Sequence, residues 1–350
     1  MRDTDVSPSP RRANPNNGSQ VHWLQNHWYR ITPLHLVLFP ISLVFRVLVA
    51  LRRELYLSGF LASHQLLLPV IVVGNISVGG TGKTPLTLAL AQQLIERGWH
   101  PLILSRGYGR TISSPQPVRL TSTAAQVGDE PLLMARRDIC PVWVGADRVA
   151  TAHAALQACP QCDVVLCDDG LQHYRLQRDV EVAVIDGVLG YGNGLMLPAG
   201  PLREPVSRLQ SVDAIVVNGG DAATNHYAMS LTGAIFYNLL NPGQTATPAD
   251  FKNPNMHAVA GIGNPQRYFQ HLETLGIPFT PHVFPDHHPY RAADLSFADC
   301  DAILLTEKDA VKCAAFADAR YWVLRVNAQI DPALIDHILR KISPHGHQTA

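Results

Sequence analysis

The chain has 350 residues, of which 47% are hydrophobic and 16% are charged. This length predicts about two domains, and the composition excludes a long disordered chain, a coiled coil and a collagen-like repeat. Its 28 basic and 28 acidic residues balance, so nucleic acid is not an expected partner, and no obligate protein partner is evident. Six cysteines are too few for a disulfide scaffold, and Cys159 and Cys162 are expected to be reduced thiols.

Positive charge is concentrated at the start of the chain. Residues 1–60 hold seven Arg and no Lys against two Asp and one Glu, a net charge of +4, so the remainder carries −4. This asymmetry suggests that the front end meets an anionic surface such as a membrane. Residues 1–20 are polar and predicted to be a disordered tail, and residues 21–59 to form a membrane-associated helical segment.

An apolar stretch at residues 31–51 is long enough for a helix to span a bilayer, which takes about 20 residues. Three residues that a spanning helix would disfavour interrupt it: His35, Pro40 and Arg46. The pattern therefore favours a helix lying in the membrane interface, with a spanning helix and a buried core helix as the alternatives. Three aromatic residues upstream suit an interface as well: Trp23, Trp28 and Tyr29.

A glycine-rich loop carries the strongest chemical signal. Residues 66–75 form an apolar run typical of a buried strand, and residues 86–99 have helical spacing with Gly98 as a stop. The SVGGTGKT between them, in which Ser77 replaces the usual first glycine, has the strand–turn–helix context of a P-loop. We therefore expect ATP to be bound by the consecutive residues Ser77, Val78, Gly79, Gly80, Thr81, Gly82, Lys83 and Thr84.

Two adjacent carboxylates, Asp168 and Asp169, end a predicted strand at residues 163–167. An apolar strand ending in Asp is typical of a Walker-B segment, so Mg²⁺ is expected on Thr84 and on one or both of these carboxylates. Further strands are predicted at residues 180–186 and 212–218 with helical segments between the strands. The predicted fold is a P-loop NTPase-type α/β fold, with a parallel sheet flanked by helices.

Seven short strings spread over about residues 20–320 add a specific resemblance: GNISVGGTGKTP, LSRGYGR, VGDEP, DDGLQH, NGLMLPAGPLREP, FPDHH and LTEKDAVK. In this order they resemble the tetraacyldisaccharide 4'-kinase family, the lipid A 4'-kinases of Gram-negative bacteria. The resemblance implies transfer of the γ-phosphate of ATP to the 4'-hydroxyl of an acylated disaccharide 1-phosphate lipid, which forms lipid IVA. It also implies Mg²⁺ and a place on the cytoplasmic face of the bacterial inner membrane.

The resemblance also suggests roles for individual residues. Lys83 would hold and neutralise the phosphates, and Asp129 in GDEP with His287 in PDHH would accept the proton of the sugar hydroxyl. His288 is the immediate rival of His287, and the sequence does not separate them. Residues suggested to bind the lipid substrate, with a solvated loop as the alternative for the first three, are Arg106, Tyr108, Arg110, Asn193 and Arg203.

Domain limits follow from the same patterns. A P-loop kinase domain is predicted at residues 60–215, a smaller α/β domain at 216–340 and a tail at 341–350. The cleft between the two domains would hold nucleotide and sugar. Lys308 could approach a phosphate there, or could simply begin a helix after the strand-like DAILL.

Three other classes of protein could carry such a loop. A membrane-linked partition ATPase would carry a signature Lys where this chain has Val78, and a GTPase of cofactor assembly would carry an N-K-x-D motif, whose spacing TEKD does not match. A scaffold with a vestigial P-loop is disfavoured by the intact Lys83 and Thr84. The kinase interpretation is therefore preferred.

Overall fold

The computed structural model describes residues 27–111, 113–253 and 255–343, so the predicted tails, 1–20 and most of 341–350, lie outside it, as does Trp23. The α-helices with both ends in the described ranges are α1 (His35–Leu57), α2 (Lys83–Ile95), α3 (Ala124–Val127), α4 (Asp129–Arg136), α5 (Arg148–Ala158), α6 (Pro265–Thr274), α7 (Glu307–Cys313) and α8 (Pro332–Ile342).

The strands of the same ranges are β1 (Val70–Gly74), β2 (Pro101–Ser105), β3 (Gln116–Pro117), β4 (Val142–Val144), β5 (Val164–Asp168), β6 (Val180–Asp186), β7 (Ala214–Asn218), β8 (Tyr227–Asn238), β9 (Thr245–Ala246), β10 (Met256–Ala260), β11 (Thr280–Val283), β12 (Ala302–Thr306) and β13 (Tyr321–Ile330). They form one 13-stranded sheet in the order β11-β10-β12-β13-β8-β7-β6-β1-β5-β2-β4-β3, with β9 on β8.

The sheet is mixed, whereas a parallel sheet was predicted. Most neighbouring strands pair in parallel, including β1 with both β5 and β6. The exceptions are β13 on β8, β3 on β4 and β9 on β8, which are antiparallel. The α/β class with helices on the sheet is confirmed, and parallel pairing around β1 brings the carboxyl ends of β1, β5 and β6 to one edge.

The prediction of helical segments between the central strands was wrong for two connections. Residues 169–179, which connect β5 to β6, form turns and one isolated β-bridge, at Leu176, and contain no helix. The β6 to β7 connection contains just a short 3₁₀-helix, Val206–Ser211. Side-chain hydrogen bonds hold both segments in place instead. Gln172 donates to Glu204 at 2.8 Å, and Arg208 donates to Glu181 at 2.6 Å.

Alternation along the central strands builds two cores. Ile71 and Val73 of β1 face the layer of α2 and α8, where Leu90 and Ile338 are fully buried. Val70 and Val72 face the opposite layer, which includes α5. Since successive strand residues point to opposite faces, β1 is buried on both sides, as its continuous apolar run predicts.

The two predicted domains share the sheet and part of the first core. α8, from the C-terminal part, packs against α2 of the P-loop part. The proposed limit at residue 215 falls inside β7. Further apolar clusters lie around β10, β12 and β13, where they bury Phe236 and Leu304. The division of the chain into two domains stays a prediction.

α1 lies along the outside of the body. Two of its side chains bind the body: His35 Nε2 donates to the carbonyl of Ala199 at 3.0 Å, and Ser42 Oγ donates to the carbonyl of Met196 at 2.7 Å. At the other end, Arg53 donates to Ser211 Oγ at 3.2 Å. Only 11% of the most apolar stretch of α1 is buried, so the alternative of a buried core helix is not supported. The apolar side chains of α1 largely face outward: Leu36, Val37, Ile41, Leu43, Val44, Val47, Leu48 and Leu51.

Candidate active site

The P-loop follows β1 as predicted and ends at the first turn of α2. Gly79 and Gly82 have φ values of 118° and 97°, the left-handed region that glycine adopts without strain. A side chain at Gly82 would also collide with Asn218 Nδ2, 2.4 Å from the ideal Cβ position. That amide donates to the carbonyl of Thr81 at 2.9 Å, and Val78 N–H donates to Pro201 O at 2.8 Å. The loop is thus held open in front of the positive end of α2.

Asp169 is tied to two cations at the edge of the sheet. Its Oδ1 lies 3.6 Å from Lys83 Nζ, and both of its oxygens lie 3.3 Å from a guanidinium nitrogen of Arg203. Burial raises the pKa of this carboxyl, but Lys83 and Arg203 outweigh burial and hold the pKa below its usual range. Asp169 is therefore an ionised carboxylate beside the P-loop lysine.

Asp168 is in a different state, although it is adjacent. Thr87 Oγ1 donates to its Oδ1 at 3.2 Å, while its Oδ2 is buried without a partner among the described residues. Burial and the nearby charges of Glu130 and Asp169 raise the pKa of Asp168 to about 7. A buried carboxylate oxygen that lacks a partner is suited to a cation, since removing its charge from water is otherwise costly.

These residues fit a magnesium ion that arrives with the nucleotide. Mg²⁺ is usually held by one or two carboxylates together with substrate phosphates and water. The described residues contain no preformed cluster of three or more His, Cys, Asp or Glu side chains for a metal. The unpartnered oxygen of Asp168 and the hydroxyl of Thr84, in the first turn of α2, are the kinds of donor that such an ion accepts.

A carboxylate–imidazole pair joins two distant parts of the chain. Nδ1 of His287 donates to Oδ2 of Asp129 at 2.8 Å, and the second oxygen of Asp129 accepts the N–H of Glu130 at 2.9 Å. The hydrogen bond to Asp129 raises the pKa of His287. Burial raises the pKa of Asp129, but the bond from His287 together with the nearby charge of Lys308 outweighs burial and lowers it. The pair thus favours an ionised carboxylate next to a basic ring.

The structure separates His287 from His288. Nε2 of His288 lies 3.2 Å from Asp294 Oδ2, and its ring packs against Phe284 and Tyr290. His288 therefore belongs to a local cluster of the C-terminal part. His287, in contrast, has a left-handed φ of 60° that turns its ring to Asp129.

The residues suggested for the substrate are not all in equivalent positions. Arg106 is exposed and makes no hydrogen bond or ion pair with a described residue, and Tyr108 is 66% exposed with its ring centroid 5.1 Å from that of His287. Arg203 faces Asp169. Arg110 instead donates to the carbonyls of Ser113 and Ser114 in its own loop.

Asn193 is engaged by contacts within its own loop. Its amide donates to the carbonyl of Ala199 at 2.8 Å, and its oxygen accepts the N–H of Leu195 at 3.0 Å. The same Ala199 carbonyl holds His35 of α1. Asn193 therefore shapes the loop on which α1 packs.

One buried cation near the site was not singled out by sequence reasoning. Arg148 is only 2% exposed and donates to the carbonyl of Asp168 at 3.2 Å and to that of Gly145 at 2.9 Å. It supports the end of β5 from behind. Its only sequence signal is its place in the ADR that follows β4, which is too general to identify it.

Comparison with known proteins identifies the family of the chain. The family model described as tetraacyldisaccharide-1-P 4'-kinase matches residues 34–343. The chain belongs to this family. It is 50% identical to the tetraacyldisaccharide 4'-kinase of Dechloromonas aromatica, over 94% of this chain and 99% of the relative. It is 47% identical to that of Methylobacillus flagellatus, over 92% of this chain and 96% of the relative.

A solved structure supports the fold of this 4'-kinase family member. Its coordinates match those of LpxK from Aquifex aeolicus in complex with ATP, with a TM-score of 0.74 and 29% identity. The match covers 88% of this chain and 99% of that protein. The family resemblance stated from the sequence is confirmed.

Proposed function

We propose that the protein transfers the γ-phosphate of ATP to the 4'-hydroxyl of tetraacyldisaccharide 1-phosphate, forming lipid IVA in lipid A biosynthesis. The observation that carries this proposal is that a P-loop, which lacks only the usual first glycine, lies on the same edge of the sheet as the Asp129–His287 pair. The charge of Glu130, next to Asp129, is close enough to raise the pKa of Asp168. The residues proposed to bind the nucleotide therefore lie near the pair proposed to accept the proton, as direct phosphoryl transfer requires.

Each group has a task in this reaction. Lys83 and the N–H groups of the P-loop hold the β- and γ-phosphates. Thr84 with Asp168, and Asp169 nearby, would hold Mg²⁺, which when bound neutralises phosphate charge. The Asp129–His287 pair accepts the proton of the 4'-hydroxyl as the oxygen attacks in line.

Arg203 supports the nucleotide side, because it shares Asp169 with Lys83. Tyr108 is exposed beside the pair and Arg106 is exposed two positions before it, so both are open to the sugar or its 1-phosphate. Arg110 could join them only if it left the carbonyls that it now binds. Asn193 is proposed to act indirectly, through the loop that carries Ala199.

Product analysis tests the proposal. The purified chain would be incubated with tetraacyldisaccharide 1-phosphate in detergent micelles with Mg²⁺ and either ATP or GTP. We expect the lipid to gain one phosphate at the 4'-oxygen with ATP, as seen by mass spectrometry of the intact and fragmented product. Nucleotide hydrolysis with an unchanged lipid would instead indicate an ATPase or GTPase of the partition or cofactor-assembly type.

We further propose that α1 places the enzyme at the cytoplasmic face of the inner membrane by lying in the interface. α1 is long and apolar enough to cross a bilayer. Its contacts with the body, however, extend from His35 to Arg53, about 27 Å along the helix at 1.5 Å per residue. A crossing helix would draw the loop at Met196–Ser211 into hydrocarbon, where irregular lipid-exposed backbone is not tolerated.

The outward face of α1 is therefore expected to bind membranes. Val44→Asp, Val47→Asp and Leu48→Asp together, at positions 58–64% exposed, should reduce co-flotation with anionic vesicles about tenfold or more, since several apolar side chains leave the bilayer. Leu120→Asp, 62% exposed in a loop outside α1, is the matched control. Unchanged flotation of the triple variant would contradict this orientation. Resistance of the wild type to alkaline carbonate extraction would indicate a spanning helix.

A further inference from the structure

Lys308 lies at the centre of a charged cluster beside the Asp129–His287 pair. Its Nζ atom is 2.9 Å from Asp286 Oδ1, 3.0 Å from Glu130 Oε1 and 3.4 Å from Nε2 of His287. The side chain is 15% exposed, while the two carboxylates are each about one third exposed. Burial lowers the pKa of the ammonium, but Glu130 and Asp286 outweigh burial and keep Lys308 charged.

This position is not explained by the stability of the helix that carries Lys308. α7 begins at Glu307, and Thr306 caps it by accepting the N–H of Asp309 at 3.1 Å. A cation in the first helical turn is unfavourable, because the N-terminal end of a helix is positive. The same helix has Lys312 in its last turn, where a cation is favourable. Lys308 is therefore placed for its partners outside α7.

The contact with His287 has a consequence for the imidazole proton. An ammonium group donates hydrogen bonds and cannot accept them. Nε2 of His287, which faces Lys308, must therefore carry the lone pair in the neutral ring. The proton then resides on Nδ1, which is the atom that donates to Asp129.

We propose that Lys308 is a positioning residue for phosphoryl transfer: held by Glu130 and Asp286, its ammonium keeps the His287 proton on Nδ1 and opposes a second proton on Nε2. This rests on the proposed role of the Asp129–His287 pair as proton acceptor. A base acts only in its unprotonated form, so a charge that disfavours the imidazolium keeps the base available at neutral pH.

The groups around His287 make this balance specific. Two carboxylates attract a proton to the ring, Asp129 and Asp286, while Glu130 pairs with Lys308. Lys308 is the cation in contact with the ring, and Lys312 acts on Asp129 from further along α7. The ring of Tyr108 lies beside that of His287, tilted by 47°. Without the Lys308 ammonium, the carboxylates would favour the imidazolium.

The test compares Lys308→Met, which removes the charge, with Lys308→Arg, which keeps it. We expect the acidic limb of the pH profile of kcat to move up by about 1 pH unit in Lys308→Met and to stay in place in Lys308→Arg. The KM for ATP should change little in both. Lys341→Met is the matched control, because Lys341 pairs with Asp213 at the amino end of β7.

Nitrogen-15 spectra of the histidine rings give a readout that needs no turnover. In the wild type the neutral His287 ring is expected to carry its proton on Nδ1, and in Lys308→Met the imidazolium is expected to persist to a higher pH than in the wild type. A uniformly lower kcat in Lys308→Met with an unmoved pH limb and an unchanged His287 ring would overturn the proposal. Absence of lipid phosphorylation by the wild type would instead reject the proposed function. The ring spectra separate the two failures, because they report the protonation of His287 without turnover.

Discussion

His287→Gln and Asp129→Ala should each reduce kcat by about 10²- to 10⁴-fold, the usual contribution of a positioned base, with little change in the KM for ATP. The reason is that Asp129 and His287 contact each other at 2.8 Å, while neither is hydrogen-bonded to a side chain of the P-loop in the described residues. His287→Ala should behave like His287→Gln. Because the two residues act as a unit, the double variant should lose little more than either single variant.

The neighbouring histidine supplies the control for this prediction. His288→Gln should retain near wild-type turnover, because His288 pairs with Asp294 and not with Asp129. Steady-state kinetics with ATP and with lipid varied in turn would measure both effects. Near-normal turnover of both His287→Gln and Asp129→Ala would contradict the assignment of the base.

The pair also sets a direction for pH dependence. The hydrogen bond to Asp129 raises the pKa of His287. As the solution becomes acidic, turnover should therefore begin to fall at a pH above the ordinary histidine pKa of about 6.5. The stability that the raised pKa of His287 contributes is complete below the unfolded value of about 6.5 and is lost as pH rises through the folded value. The lowered pKa of Asp129 acts in the opposite direction, and its contribution is lost as pH falls.

Asp168→Asn should abolish most activity while making the free protein more stable. Loss of a metal-binding carboxylate removes several kcal/mol of transition-state stabilisation, about 10³-fold in rate. In the absence of nucleotide, however, the substitution removes a fully buried carboxylate whose Oδ2 has no partner among the described residues. Replacing a buried charge by a neutral group of similar size should stabilise by about 1 kcal/mol, or a few degrees in Tm.

Asp169→Asn is the matched comparison and should have the opposite effect on stability. Its carboxylate is paired with Lys83 and Arg203, and the substitution would leave these two cations without their partner. Thermal unfolding without ATP and Mg²⁺ would measure both variants. A lower Tm for Asp168→Asn than for the wild type would contradict the interpretation of Asp168 as an unpartnered buried carboxylate that destabilises the free protein.

The local signals predicted the local structure well. The apolar run and glycine pattern around residues 66–99 predicted β1, the P-loop and α2, and β6 spans residues 180–186 as predicted. The antiparallel pairing of β8 with β13 was not predicted, because the partners are far apart in sequence and local periodicity carries no register. Likewise, the helix-free 169–179 connection follows from tertiary hydrogen bonds and not from propensity.

The site shows the same limit. Asp129 and His287 are 158 positions apart, and only the family resemblance suggested that they act together. Motif membership did not reveal which polar groups are already engaged, so Asn193 and Arg110 were expected at the substrate although their amide and guanidinium groups bind nearby carbonyls. The arrangement of Lys308 between Glu130 and Asp286 could not be read from the chain, because it joins three separate segments.

Transfer of radiolabelled γ-phosphate from ATP to purified tetraacyldisaccharide 1-phosphate, in micelles with Mg²⁺, tests the central claim most directly. The wild type should label the lipid, and Lys83→Ala should label it at least about 10²-fold more slowly, because the lysine that neutralises the phosphates is gone. Label released as inorganic phosphate without labelled lipid would contradict the claim, as would equal labelling by Lys83→Ala.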